Sequence, residues 1–201
     1  MRLILVRHGE TVWNSERRIQ GGARDIALSD KGRQQIQRLA HVLRNEKIDH
    51  IVASPLQRAL QTAEAISAFH NLPITTDPRL KEVDVGELDG MSTVDMPKTF
   101  TQLLLEWWKG EKDRLPGGES FGELQMRTWA AIEPLVETPS HENVLIVSHY
   151  FTTLSIIFKA IGLPLSALVK FRMDPACINE LEFGKFGPRL GRFNDTSYLD
   201  V

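Results

Sequence analysis

The stretch Leu3-Ile4-Leu5-Val6-Arg7-His8-Gly9-Glu10-Thr11 decides how this chain is read. Four apolar residues of strand character stop at a polar triplet, Arg7-His8-Gly9. An unbroken apolar run of this length reads as a strand buried on both faces of a parallel sheet. The triplet then lies at the strand's carboxyl end, where open α/β sheets hold their ligands. Arginine offers a planar fork of donors suited to an oxyanion. Histidine can act as a nucleophile or shuttle a proton near neutral pH. Glycine allows the backbone to approach a bound group closely.

Two further strands repeat the pattern. His50-Ile51-Val52-Ala53 is followed at once by Ser54-Pro55, a serine N-cap and a first-turn proline, so a helix is predicted from Pro55 to about Phe69. Arg58 falls in its first turn. Taken alone it reads as a surface arginine, but it sits near the mouth of the sheet. Asn143-Val144-Leu145-Ile146-Val147 is the clearest strand after the first, and it ends in Ser148-His149 ahead of a helix from about Phe151 to Ile161. If these three strands are neighbours, two arginines and two histidines meet in one pocket.

Between these landmarks lie a polar loop from Glu10 to Leu28 and a helix capped by Ser29 that carries Ile36, Leu39, Ala40 and Leu43 on one face. An edge strand is expected near Pro73–Thr76, then an acidic loop from Leu80 to Gly90. The residues Phe100, Leu103, Leu104, Trp107 and Trp108 predict a helix with an aromatic end, its tryptophans serving packing rather than ligand contact. Ser120 and Glu123 match a capping box and start a further helix. Cys177–Phe183 and Arg189–Phe193 alternate as a β-hairpin joined through Gly184–Pro188. The order of elements predicts a three-layer α/β/α fold with a mostly parallel central sheet. A single domain over 1–201 is expected, with a lid or cap inserted at about 90–116.

Composition narrows the function. The 201 residues are 42% hydrophobic and 25% charged, with a formal net charge of -2, which argues against a general nucleic-acid binder. No apolar run is long enough to cross a bilayer and no signal-peptide pattern is seen, so a cytoplasmic protein without membrane partners is expected. Cys177 is alone, which excludes an intramolecular disulfide and a thiolate cluster. A homodimer is compatible with the sequence.

Two arginines and two histidines suit a phosphoryl group, because charge-assisted forks grip its oxygens about twice as strongly as neutral donors. Helix N-termini after Ser54 and His149 would add backbone amides. Phosphoryl transfer asks mainly for positioning and charge stabilisation. Neither a metal nor a cofactor is expected. His8 is the better candidate nucleophile because it sits at the tightest turn, and a carboxylate of the acidic loop could protonate the leaving group and then activate water. On the residues alone Glu82, Asp84 and Glu87 are nearly equal candidates.

These residues resemble the histidine phosphatase superfamily, which includes cofactor-dependent phosphoglycerate mutases and many small phosphatases. The resemblance is carried by LVRHGET-x-WN at 5–14, RxQG at 18–21, LSDKG at 28–32, SPLQRALQTA at 54–63, LKEVDVGELDG at 80–90, PGGES at 116–120 and VSH at 147–149. It implies His8 as the phosphorylated nucleophile and Glu82 as proton donor. It also implies Arg7, Arg58 and His149 as the phosphate pocket, with Asn14, Gln20 and Gly21 closing one side. Tyr150 stands where the family usually has glycine, Gly21 to Asp25 holds one residue more than the usual spacing, and Ala27 replaces a common proline. A metal-independent phosphatase acting on a small phosphate ester is expected. The alternatives are a cofactor-dependent phosphoglycerate mutase and a non-catalytic module that binds a phosphate ligand. The mutase is placed second because mutases of the family are usually longer. His41, His50, His70 and His141 read as solvated.

Overall fold

The computed structural model describes residues 1–137 and 142–199. Six strands form one sheet: β1 (Arg2–Arg7), β2 (His50–Ala53), β3 (Ile74–Thr76), β4 (Asn143–Ser148), β5 (Ile178–Gly184) and β6 (Gly187–Asp195). Their spatial order is β3-β2-β4-β1-β5-β6. The first four run parallel, with Leu3 beside Val144 and Ile51 beside Leu145, while β5 and β6 add an antiparallel hairpin against β1.

Side-chain alternation divides the core into two layers. Ile4, Val6, Ile51, Ala53, Leu145 and Val147 face one way, packing on α2 (Asp30–Leu43) and α3 (Gln57–His70) through Leu39, Leu43, Ala63 and Ile66. Leu3, Leu5, Val52, Val144 and Ile146 face the other way, against α5 (Phe121–Glu137) and α6 (Tyr150–Ile161) through Ile132, Leu154, Ile157 and Phe158. Helices on both faces leave the central strands nothing polar to face. That is why β1 and β4 are apolar throughout their interiors. The expected three-layer architecture with a mostly parallel sheet is therefore present.

Several boundaries differ from expectation for local reasons. The loop after β1 contains a short helix, α1 (Val12–Ser15), closed by a reciprocal cap between Thr11 and Asn14. Helix α3 begins at Gln57, two residues later than predicted; the Ser54 hydroxyl lies 2.8 Å from His149 Nε2 and accepts only a long bond from Leu56 N (3.4 Å), ahead of the helix. The hairpin turn is tighter than predicted, with β6 starting at Gly187 and running through Pro188. Proline is tolerated there because β6 is the edge of the sheet and one side of it donates to no ladder.

Helix α4 (Lys98–Trp108) and the chain around it rest on a third apolar cluster of Val83, Val85, Leu88, Leu115, Leu124 and Phe151. Trp107 is buried, its ring stacked 4.5 Å from Phe121 and edge-on to Phe151 at 5.3 Å. The packing role expected for Trp107 holds. The start of the 90–116 segment is stitched to the loop after α1 by Gly90 and Ile19 and by Thr93 and Arg17.

Candidate active site

The order β2-β4-β1 makes the three ligand-bearing strands neighbours, so their carboxyl ends deliver Ser54, His149 and Arg7-His8 side by side. The side chains gathered there are buried. His8 is 3% exposed, and Arg58 and His149 are fully buried. Arg58 is thus no surface arginine.

His8 is held by its backbone, which donates to Ser148 O and accepts from Ala176 N. Its Nδ1 lies 2.7 Å from the Gly9 carbonyl. A carbonyl can only accept, so Nδ1 carries the ring proton and Nε2 keeps its lone pair. Burial, and then the charges of Arg58 and Arg7, push the His8 pKa well below the usual imidazole range. His8 is therefore a neutral imidazole with a free nitrogen at physiological pH.

His149 meets the His8 ring edge-on at 5.1 Å. Arg58 donates from Nε to His149 Nδ1 at 3.2 Å, which leaves Nε2 as the protonated nitrogen, 2.8 Å from Ser54 Oγ. Burial, Arg58 and His8 hold its pKa far down. Both ring nitrogens of His149 are thus engaged within the protein. Arg58 spends its other nitrogens on the carbonyls of Arg24 (3.2 Å) and Gly21 (3.0 Å). Burial lowers its pKa to about 10, so it remains cationic at neutral pH.

Arg7 donates from Nη1 to the Met173 carbonyl, and its guanidinium lies 5.2 Å from the centre of the Tyr150 ring. Tyr150 in turn donates to Phe171 O at 2.6 Å. Tyrosine in place of glycine therefore builds a platform under Arg7, anchored to the same 171–173 segment. Two buried donors here have no partner among the described residues, Arg7 Nε and Gln20 Nε2. Gln20 accepts from the Thr11 hydroxyl at 2.8 Å, and Asn14 is tied into the α1 cap. Gly21 donates to Asp89 and faces Arg58 with its carbonyl.

Glu82 is brought to the same place, 6% exposed, and its charge acts on both Arg7 and Arg58. Asp84 and Glu87 are both exposed, and no described contact links them to the histidines. The Glu82 carboxylate accepts from Phe151 N (3.2 Å), Thr152 N (3.2 Å) and its own neighbour Val83 N (2.9 Å), while the Thr152 hydroxyl, 3.3 Å away, gives its proton to Lys81 O at 2.8 Å. Glu82 therefore occupies two of the α6 first-turn amides, those of Phe151 and Thr152. At α3, likewise, the Gln57 amide is taken by Asp25 at 2.8 Å. Gly9 also has a packing role. A Cβ there would lie 2.8 Å from the Gly32 carbonyl, so the glycine admits helix α2.

Ser54, Thr152 and Asp25 were not singled out from the sequence. Ser54 carried a competing signal, the N-cap pattern, and the other two carried none. Of the remaining histidines, His41 is exposed, His50 is half-buried rather than solvated, and half-buried His70 lies 3.1 Å from Leu43 O. His141 lies outside the described residues. Among the described residues no three His, Cys, Asp or Glu side chains gather as a metal site would need. No helix there is long and apolar enough to cross a membrane.

The family model described as Histidine phosphatase superfamily (branch 1) matches residues 3–196. The chain belongs to this superfamily. A Yersinia pestis (strain Pestoides F) protein named "Probable phosphoglycerate mutase GpmB" is 33% identical, over 100% of this chain and 96% of its own length. Among solved structures, Bacillus stearothermophilus YhfR superposes with a TM-score of 0.90 at 30% identity, covering 98% of both chains. A mycobacterial glucosyl-3-phosphoglycerate phosphatase solved with VO3 superposes with a TM-score of 0.89 at 26% identity, covering 97% of this chain and 99% of its own.

Proposed function

We propose that this protein is a metal-independent phosphomonoesterase that hydrolyses a small phosphorylated metabolite through a phosphohistidine on His8. The observation that carries the reading is the state of His8: buried, neutral, with Nε2 free and two arginine charges beside it. In the first step Nε2 attacks phosphorus while the bond to the ester oxygen breaks. Arg7 and Arg58 neutralise the charge spread over the equatorial oxygens. Glu82 passes a proton to the departing alkoxide, which leaves as an alcohol. In the second step the Glu82 carboxylate takes a proton from water as that water attacks phosphorus. The P–N bond breaks and neutral His8 and inorganic phosphate are regenerated. His149, fixed by Arg58 and Ser54, walls the pocket and keeps its charge off. Asn14, Gln20, Gly21 and Tyr150 shape the phosphate side.

The 90–116 segment, resting on the aromatic cluster beside Phe151, is the lid that chooses the substrate, within a single domain. A cytoplasmic location suits such a substrate. One observation favours a second reading. The relative named a probable mutase is nearly the same length as this chain, so length alone does not separate hydrolysis from isomerisation. Incubation with 3-phosphoglycerate, following both free phosphate and 2-phosphoglycerate, decides between them. Phosphate release dominates if the proposal holds, whereas efficient isomerisation without net release overturns it. Wild-type protein inert toward a broad panel of phosphate esters would overturn both in favour of a binding module.

A further inference from the structure

The Glu82 carboxylate is held by the first turn of α6, but its backbone belongs to an irregular segment between two short 3-10 turns, Pro78–Leu80 and Gly86–Leu88. An irregular segment does not by itself fix a proton donor to the tolerance that proton transfer asks. A second element reaches in to do so. Arg127, on α5, places all five of its N–H groups. Nη1 donates to Arg79 O (2.6 Å) and Lys81 O (2.8 Å), and Nη2 donates to Glu82 O (3.0 Å) and Glu119 Oε2 (2.8 Å). Nε donates to Glu119 Oε1 at 2.6 Å. Glu119 is tied to the same segment, since its amide donates to Asp84 O at 2.8 Å and its carboxylate accepts from Asp84 N at 3.3 Å. Lys81 O also accepts from Thr152 Oγ1 at 2.8 Å, so α5 and α6 share one anchor point.

We propose that Arg127, braced by Glu119, is the positioning residue that holds Glu82 in register for proton transfer to the leaving group. The inference rests on the reading of Glu82 as the acid. The geometry requires arginine in particular. A planar fork reaches three carbonyls and a carboxylate at once, whereas a lysine ammonium is a point donor. Neither Arg127 nor Glu119 need touch substrate for this.

A residue that merely stabilises the fold lowers turnover on every substrate alike. One that places the acid matters most when the leaving group needs the proton. The test is therefore kcat/KM for Arg127→Met, Glu119→Gln and Glu82→Gln against two phosphate esters, one with an alkyl alcohol and one with an activated nitrophenol as leaving group. Melting curves monitor folding. For Arg127→Met the expected loss is about 10²-fold on the alkyl ester, as displacement of a catalytic group by about 1 Å produces, and about tenfold less than that on the aryl ester. Glu82→Gln shows the same bias more strongly. A double variant combining Arg127→Met with Glu82→Gln is no worse on the alkyl ester than Glu82→Gln alone. Glu119→Gln keeps the carbonyl contacts, and it shows a weaker form of the same bias should Arg127→Met fail to fold. Equal losses on both esters for Arg127→Met and Glu119→Gln, with Glu82→Gln still biased, overturn the positioning role. A Glu82→Gln variant without bias removes the acid assignment and the inference with it.

Discussion

Acidification should unfold this protein through two imidazoles, and the size of the effect follows from their burial. His8 and His149 are buried, and desolvation followed by the charge of Arg58 depresses both pKa values well below 6.5. In the unfolded chain each titrates near an ordinary value of about 6.5. A group whose folded pKa is depressed contributes its stability fully above the unfolded value and loses it as pH falls toward the folded one. Below 6.5 the unfolded chain binds protons that the folded chain refuses, and each such group costs about 1.4 kcal/mol per pH unit. Between pH 7.5 and 5.5 one imidazole that stays neutral removes about 1.4 kcal/mol, and two remove about 2.7 kcal/mol. That is a large fraction of the roughly 5–15 kcal/mol that holds a domain folded. The assay is urea unfolding at the two pH values for wild type and His8→Asn. Asparagine can still donate to Gly9 O but does not titrate. The pH dependence of the variant should be shallower by about 1.4 kcal/mol, with all other titrating groups cancelling in the comparison. Parallel curves for the two proteins, or a wild type equally stable at both pH values, would refute the reasoning.

Other perturbations follow from single contacts. Gly32→Ala puts a methyl 1.9 Å from the Glu10 carbonyl, which forces the first turn of α2 away from the loop after β1. A stability loss of about 1–3 kcal/mol is expected from this overpacking, read by chemical denaturation. Ser54→Ala leaves the buried His149 Nε2–H without its acceptor, at a cost of about 1–3 kcal/mol in the same assay. It should also lower kcat as His149 loses its fixed tautomer. Tyr150→Leu removes the ring under Arg7 and should weaken inhibition by vanadate, whereas Tyr150→Phe, which keeps the ring, should bind it nearly as well.

Much of the site was legible because strands buried on both faces must be apolar, so their ends are sharp. Val6, Ala53 and Val147 each mark where an apolar run stops and chemistry starts, and the sheet order brings those three ends together. Choosing Glu82 over Asp84 and Glu87 took the family resemblance, since three carboxylates in one loop carry no local sign of which turns inward. The rest depended on contacts distant in sequence. Ser54 reads as an N-cap by every local rule, yet it faces His149, 95 residues away. The first-turn amides of α6 read as donors for an anion, yet two of them are taken by Glu82, about 70 residues earlier. Arg127 reads as an ordinary polar face of α5, and only the fold shows it meeting the Glu82 segment 45 residues upstream. The close approach of Gly32 to Gly9 likewise carries no local sign in the sequence.

The central claim is that His8 becomes phosphorylated on Nε2 during turnover. Mixing the protein with a turned-over phosphate ester, quenching within milliseconds and analysing the digest should place an acid-labile, alkali-stable phosphate on the peptide that contains His8. His8→Asn should show neither the phosphate nor turnover. Hydrolysis that continues in His8→Asn, or a phosphate found on another residue of the wild type, would contradict the account.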